Sequence, residues 1–221
     1  MHNVVNNLIS IQDELKIKIK KLKIENYNPN IVAVCKTFFI KDILPLINHG
    51  HIHFGENKVQ EAIEKWINIK NDFKNIKLHM IGKLQTNKVK YVIPLFDYIH
   101  SLDNLKLAEK ISKEQSKKNK ILKLFIQINI GNEKQKNGVL IEELENFYNK
   151  CTKDLGLNII GLMCLPPNDN KSLIYFSKMQ KLAKELKLNQ ISMGMSDDYL
   201  GALEFNATYL RIGSKIFGER N

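Results

Sequence analysis

Hydrophobic positions along this chain switch repeatedly between the three-four spacing of a helix and the near-continuous runs of a buried strand. Leu8, Ile11, Leu15, Ile19 and Leu22 keep the helical spacing, which predicts an amphipathic helix within residues 1–25. Thereafter β-type runs fall at Ile31–Thr37, His51–Glu56, Lys77–Gly82, Tyr98–Asp103, Ile121–Ile130, Leu157–Leu165, Gln190–Met195 and Tyr209–Phe217. Helical patterns between them include Asn57–Ile69, Asn104–Lys118, Leu140–Cys151 and Ser172–Leu186. Several runs lack polar alternation, as expected of strands covered on both faces. Strict βαβ alternation implies parallel strands with right-handed crossovers. The expectation is an α/β fold, a single (β/α)8 TIM barrel over residues 1–221 with the N-terminal helix packed outside. An open dinucleotide-binding sheet would carry G-x-G-x-x-G after its first strand, and Cys35-Lys36-Thr37-Phe38 has no glycine.

Charge and composition narrow the partners. The net charge of +11 raises nucleic acid, but the lysines are dispersed, and the dense cluster Lys16-Ile17-Lys18-Ile19-Lys20-Lys21-Leu22-Lys23 falls largely on the solvated side of the first helix. Without interleaved aromatics or a reader motif, that charge predicts no nucleic-acid role. No stretch approaches the roughly 18 apolar residues of a membrane span. Met1-His2-Asn3-Val4-Val5 lacks the basic start and apolar core of a signal peptide. Cys35, Cys151 and Cys164 form no C-x-x-C pair and leave an odd thiol, which suits a reducing cytoplasm.

Lys36 ends the apolar run Ile31-Val32-Ala33-Val34-Cys35. A lysine in such a segment snorkels to water, pairs, or loses its proton, and in the last state it is a nucleophile toward aldehydes. Alternation puts Val32, Val34 and Lys36 on one face, directed into the barrel, and turns Cys35 outward as packing. Barrel sites gather at the C-terminal ends of the strands, with phosphate commonly held after strands seven and eight. Those loops contain Ser192-Met193-Gly194-Met195-Ser196-Asp197 and Arg211-Ile212-Gly213-Ser214. Both supply glycine for close approach and a hydroxyl for a phosphate oxygen, and a helix start after Ser196 would add backbone N–H groups. An amine on strand one, a phosphate cup on strands seven and eight and an arginine between them match pyridoxal 5′-phosphate, which needs a partner for its aldehyde, its phosphate and its ring nitrogen.

At these residues the chain resembles the pyridoxal phosphate homeostasis proteins, whose fold is similar to the N-terminal barrel of alanine racemase. The matching stretches include Val32–Thr37, Phe54-Gly55-Glu56-Asn57, His79-Met80-Ile81-Gly82, Ile99–Asp103, Gly161-Leu162-Met163, Ser192–Asp198 and Arg211–Gly218. The resemblance implies a Schiff base on Lys36, phosphate contacts from Ser196, Gly213 and Ser214, and Arg211 at the pyridine nitrogen. It also implies that Asn57, His79 and Ser101 line the pocket. Cys35 stands where serine is common in the family and Lys83 where histidine or proline is more usual. The implied role is cofactor binding in vitamin B6 homeostasis without robust turnover, with apo-enzymes that use the cofactor as recipients and a monomer or weak dimer as the working unit. An arginine at the ring nitrogen disfavours the pyridinium and weakens the electron sink. The alternative is a pyridoxal phosphate-dependent amino-acid racemase, whose second, C-terminal domain is not expected here.

Other constellations carry less. His49-Gly50-His51-Ile52-His53 places alternate histidines on one strand face, but no acidic or cysteine ligand accompanies them at a fixed spacing, so no metal is expected. Core packing is expected of Tyr199 and Tyr209. Glu56, beside Asn57, is expected to pair with a lysine in the barrel mouth, Lys36 being a candidate.

Overall fold

The alternation closes on itself. A computed structural model describes residues 3–133 and 135–218; Met1 and His2, part of the signal-peptide reading, lie outside them. Its strands are β1 (Asn30–Val34), β2 (His53–Glu56), β3 (Lys77–Met80), β4 (Tyr98–Leu102), β5 (Lys123–Ile128), β6 (Ile159–Cys164), β7 (Gln190–Ser192) and β8 (Tyr209–Ile212). They pair in sequence order, all parallel, and β8 returns to β1 with Val32 opposite Arg211. The helices are α1 (Asn3–Leu22), α2 (Ile40–Asn48), α3 (Val59–Asp72), α4 (Val89–Leu95), α5 (Leu105–Lys118), α6 (Leu144–Asn149), α7 (Ser172–Glu185), α8 (Tyr199–Ala202) and α9 (Ser214–Phe217). Among the described residues no helix is long and apolar enough to cross a membrane.

Strand alternation divides the core in two. Val32, Tyr98, Phe125, Met163 and Tyr209 fill the barrel interior, while Ile31, Ala33 and Cys35 face outward into the larger layer between strands and helices. The outward layer buries Trp66 of α3 completely against Phe54 of β2, ring centroids 5.0 Å apart. Outside that layer α1 buries Val5, Leu8, Ile11 and Leu15. Asn7 Nδ2 donates to the carbonyl of Ile216 at 2.9 Å, and Lys215 Nζ pairs with Glu14 at 3.1 Å, so α1 is fastened to α9 beside the strand C-termini.

Every predicted strand is present, and all eight are shorter than their predicted runs. The runs report burial, which continues into the loops that cap the barrel, whereas a strand ends where its ladder ends. The clearest correction is at the C-terminus: β8 stops at Ile212 and Ser214–Phe217 is a helical turn. Likewise β1 stops at Val34, so Lys36 lies in the turn beyond it and is half-buried. Two helices, α2 and α4, escape the sequence pattern because each contains a proline, Pro45 and Pro94, which reads as a breaker.

Candidate functional site

A cavity of about 450 Å³ opens at the C-terminal ends of the strands. Its wall begins with Val34 and Lys36 after β1, then Asn57 after β2 and Gly82 after β3. Thr37, next to the lysine, sits at φ +69°, in the left-handed region that β-branched residues rarely enter. Such strain persists only where surrounding structure enforces it, and here it bends the chain out of β1 directly after Lys36. Gly82 has a steric reason to be glycine: an added Cβ would lie 2.3 Å from the backbone oxygen of Asn57. The absent side chain lets β3 come close enough to seat Asn57, whose buried Oδ1 has no hydrogen-bond partner among the described residues.

Ser196, Arg211, Gly213 and Ser214 form the opposite wall. Ser196 precedes the helix expected after it, α8, which begins at Tyr199, and does not cap that helix. Its Oγ instead accepts the N–H groups of Gly213 at 3.3 Å and Lys215 at 3.4 Å, tying the loops after β7 and β8 into one surface. Gly194 precedes it at φ +86°, a conformation that favours glycine. Arg211 is 4% exposed, and its Nη1 donates to Ser192 Oγ at 2.7 Å while Nη2 donates to the carbonyl of Cys164 at 2.8 Å. Burial lowers its pKa, but a guanidinium keeps its charge in proteins. The two walls of the cavity thus present an amine, a buried cation, two hydroxyls and an orphaned acceptor.

The family model described as alanine racemase, N-terminal domain, matches residues 12–221. A relative named pyridoxal phosphate homeostasis protein, from Haemophilus influenzae, is 35% identical over 232 residues, covering 99% of this chain and 97% of its own. The chain belongs to the pyridoxal phosphate homeostasis proteins, within the alanine racemase N-terminal domain family. Among solved structures, PipY of Synechococcus elongatus, known with and without pyridoxal phosphate bound, is 29% identical and covers 92% of this chain and 100% of its own, with TM-scores of 0.80 and 0.82. Alanine racemase from Corynebacterium glutamicum, at 15% identity and TM-score 0.65 over 94% of this chain and 61% of its own, shares the fold.

Not every residue that the family resemblance points to reaches the cavity. Lys36, Asn57, Ser196, Arg211, Gly213 and Ser214 line it together; His79 and Ser101 do not. His79 points into the barrel interior, fully buried and stacked on Tyr98 at 4.1 Å between centroids. Ser101 is buried on β4, its hydroxyl without a partner among the described residues. Glu56 is also displaced from its expected place. It faces outward behind β2, where Oε1 accepts from Lys65 Nζ at 2.7 Å and Trp66 Nε1 at 2.8 Å, so the lysine it pairs with there is Lys65. Cys35 points the same way, its Sγ 3.3 Å from Glu56 Oε1, and burial together with that carboxylate pushes its thiol pKa up. Tyr199 is buried and hydrogen-bonded to Glu14, and Tyr209 packs in the barrel interior.

Sequence reasoning gave no role to Ser192, whose hydroxyl contacts Arg211, and did not join it to the buried, hydrogen-bonded histidines His79 and His100 behind it. Their signal was present: His53, His79, His100, Ser192 and Arg211 are polar residues at inward strand positions, where an ordinary barrel carries aliphatics. The histidine triplet before β2 is split, His49 closing α2 and His53 opening β2. Among the described residues no group of three or more His, Cys, Asp or Glu is placed to hold a metal ion.

Burial holds His79 and His100 well below the usual histidine pKa. The native protein therefore keeps both neutral, whereas the unfolded chain protonates them near pH 6.5. With the folded pKa below the unfolded one, their contribution is complete above about pH 6.5 and is lost as the pH falls below it. Stability is therefore expected to be lower at pH 5.5 than at pH 7.5. Urea unfolding at pH 7.5 and 5.5 checks this, and equal midpoints would contradict it.

Proposed function

We propose that this protein binds pyridoxal 5′-phosphate and serves its intracellular homeostasis, with Lys36 as the amine for the cofactor aldehyde. The observation that carries this reading is the convergence of Lys36, Arg211, Ser196, Gly213 and Ser214 on one cavity from strands far apart in sequence. The residues fit the group. About 450 Å³ lies within the range of small-molecule sites. Hydroxyls and backbone from two loops suit a phosphate, the buried guanidinium would suit a ring acceptor, and the buried Asn57 Oδ1 would suit a polar group. When bound, the cofactor supplies an aldehyde that condenses with amines and an aromatic ring that withdraws electrons. Ser196, Gly213 and Ser214 would hold the phosphate and Arg211 the pyridine nitrogen. His79 and Ser101 would support the wall from behind. The relatives' name and the pyridoxal phosphate in PipY point the same way.

A carrier role is favoured over a racemase by what the cavity lacks. Racemisation needs an acid and a base at the two faces of the ring. Among the described lining residues the only titratable side chains are Lys36, Asp197 and Arg211, with no histidine, tyrosine or cysteine. A donor such as Arg211 also keeps the ring nitrogen unprotonated. The rest of the proposal is a chain that forms one cofactor-binding unit in the cytoplasm, a monomer or weak dimer that supplies apo-enzymes. Loaded protein incubated with single L-amino acids should form no D-enantiomer or keto acid at an ordinary enzyme rate. Sustained turnover on the order of 1 s⁻¹ or faster would replace this reading with an enzymatic one.

A further inference from the structure

Three histidines and a serine form one hydrogen-bonded chain through the barrel. His53 Nδ1 lies 2.9 Å from His79 Nε2, His79 Nδ1 lies 2.9 Å from His100 Nε2, and His100 Nδ1 lies 2.8 Å from Ser192 Oγ. Ser192 Oγ meets Arg211 Nη1 at 2.7 Å. His79, His100 and Ser192 are fully buried, and none of them lines the cofactor cavity. His53 sits at the other, N-terminal end of the barrel, where it lines a separate hollow with His51 and Asn30. The chain therefore spans the barrel and ends on the guanidinium.

Counting protons sets its direction. A guanidinium only donates, and a neutral imidazole has one donor and one acceptor nitrogen. Ser192 Oγ accepts from Arg211, and its own proton finds an acceptor in His100 Nδ1. His100 then carries its proton on Nε2 and donates to His79 Nδ1; His79 does the same toward His53 Nδ1. In the opposite direction Arg211 and His100 would both donate to Ser192 Oγ, leaving the hydroxyl proton without an acceptor among the described residues. With the first direction kept, a proton added to His79 Nδ1 would oppose the His100 Nε2–H, and one added to His100 Nδ1 would oppose the Ser192 hydroxyl proton. Burial disfavours either cation, and the charge of Arg211 disfavours that of His100 as well.

We propose that His100, backed by His79 and His53, is a positioning residue for the cofactor: it takes the Ser192 hydroxyl proton and so commits Ser192 Oγ to hold Arg211. The carbonyl of Cys164 takes the other terminal nitrogen, and the two acceptors fix the guanidinium plane against the cavity. This inference rests on Arg211 facing pyridoxal 5′-phosphate as proposed above.

Histidine-selective ¹⁵N labelling and NMR of the full-length wild-type protein at pH 7.5 test the chain directly. His79 and His100 should both be Nε2–H tautomers, and an Nδ1–H tautomer at either position overturns this direction of donation. Adding pyridoxal 5′-phosphate should shift the His100 ring nitrogens although none of the described histidines lines the cavity. Unshifted signals in protein shown by mass to be loaded on Lys36 would overturn the positioning role. His100→Phe removes the acceptor for Ser192 and should weaken cofactor binding on the order of tenfold, the scale of one hydrogen bond to a charged group. It should also shift the visible band of the bound cofactor. His100→Asn keeps an acceptor where Nδ1 stood and should restore both; equal weakening in the two variants would make His100 merely structural. If the wild-type protein takes up no cofactor, the binding reading fails, while the tautomer measurement still decides the chain.

Discussion

Lys36→Ala protein treated with pyridoxal 5′-phosphate and borohydride is expected to carry no trapped adduct, whereas the wild type carries one pyridoxyl group on Lys36. Reduction converts a reversible amine–aldehyde link into a stable one, so peptide mass reports which amine reacted. Many lysines on this basic chain can react weakly at the surface. Lys36 differs because the turn after β1 places it in a cavity with the proposed phosphate wall and Arg211. Holding aldehyde and amine together converts a bimolecular encounter into an effectively intramolecular one. The proposed phosphate contacts would survive in Lys36→Ala, so weak non-covalent retention should remain while the visible band disappears. A stoichiometric adduct on Lys83 or Lys88 in the wild type would refute the assignment.

The largest effect on stability is expected at Lys65, which lies behind the site. Glu56 is fully buried, and Lys65 Nζ is its only cationic partner among the described residues. Trp66 supplies a neutral donor to the same Oε1, and Oε2 has no partner among the described residues. Lys65→Met leaves an uncompensated carboxylate in the layer between β2 and α3, at a cost of about 3–5 kcal/mol. Lys65 Nζ also donates to the carbonyl of Cys35 at 2.9 Å, one residue before Lys36, so cofactor retention should weaken with it. Glu56→Gln combined with Lys65→Met removes the buried charge and should recover part of the stability, a coupling that urea denaturation of the single and double variants measures. A loss below about 1 kcal/mol in Lys65→Met would show that Glu56 reaches water or another cation.

Much of the barrel was legible because helical and strand periods are local properties of the chain. Each apolar run marked a strand, and the apolar stripe of α1 marked its buried face. The ends were less legible, since burial and pairing stop at different residues: Lys36 reads as strand and is in fact in a turn. Glu56 shows a further limit. Its neighbour Asn57 lines the cavity, yet strand alternation turns Glu56 to the opposite face, where α3 brings Lys65 and Trp66.

The sequence by itself determined an eight-stranded parallel α/β barrel, the family, and the strand ends near which the lysine, the arginine and the hydroxyls lie. Motifs and periodicity depend on neighbours a few positions apart, and these are visible in one dimension. Only the tertiary structure decided which of these residues share a cavity, that His79 and Ser101 stand outside it, and that His100 meets Ser192 across 92 positions of chain. Such meetings follow from closure of β8 onto β1 and from the register of each strand pair. A one-residue slip in register would turn every inward side chain outward, and no local pattern encodes where two distant strands align.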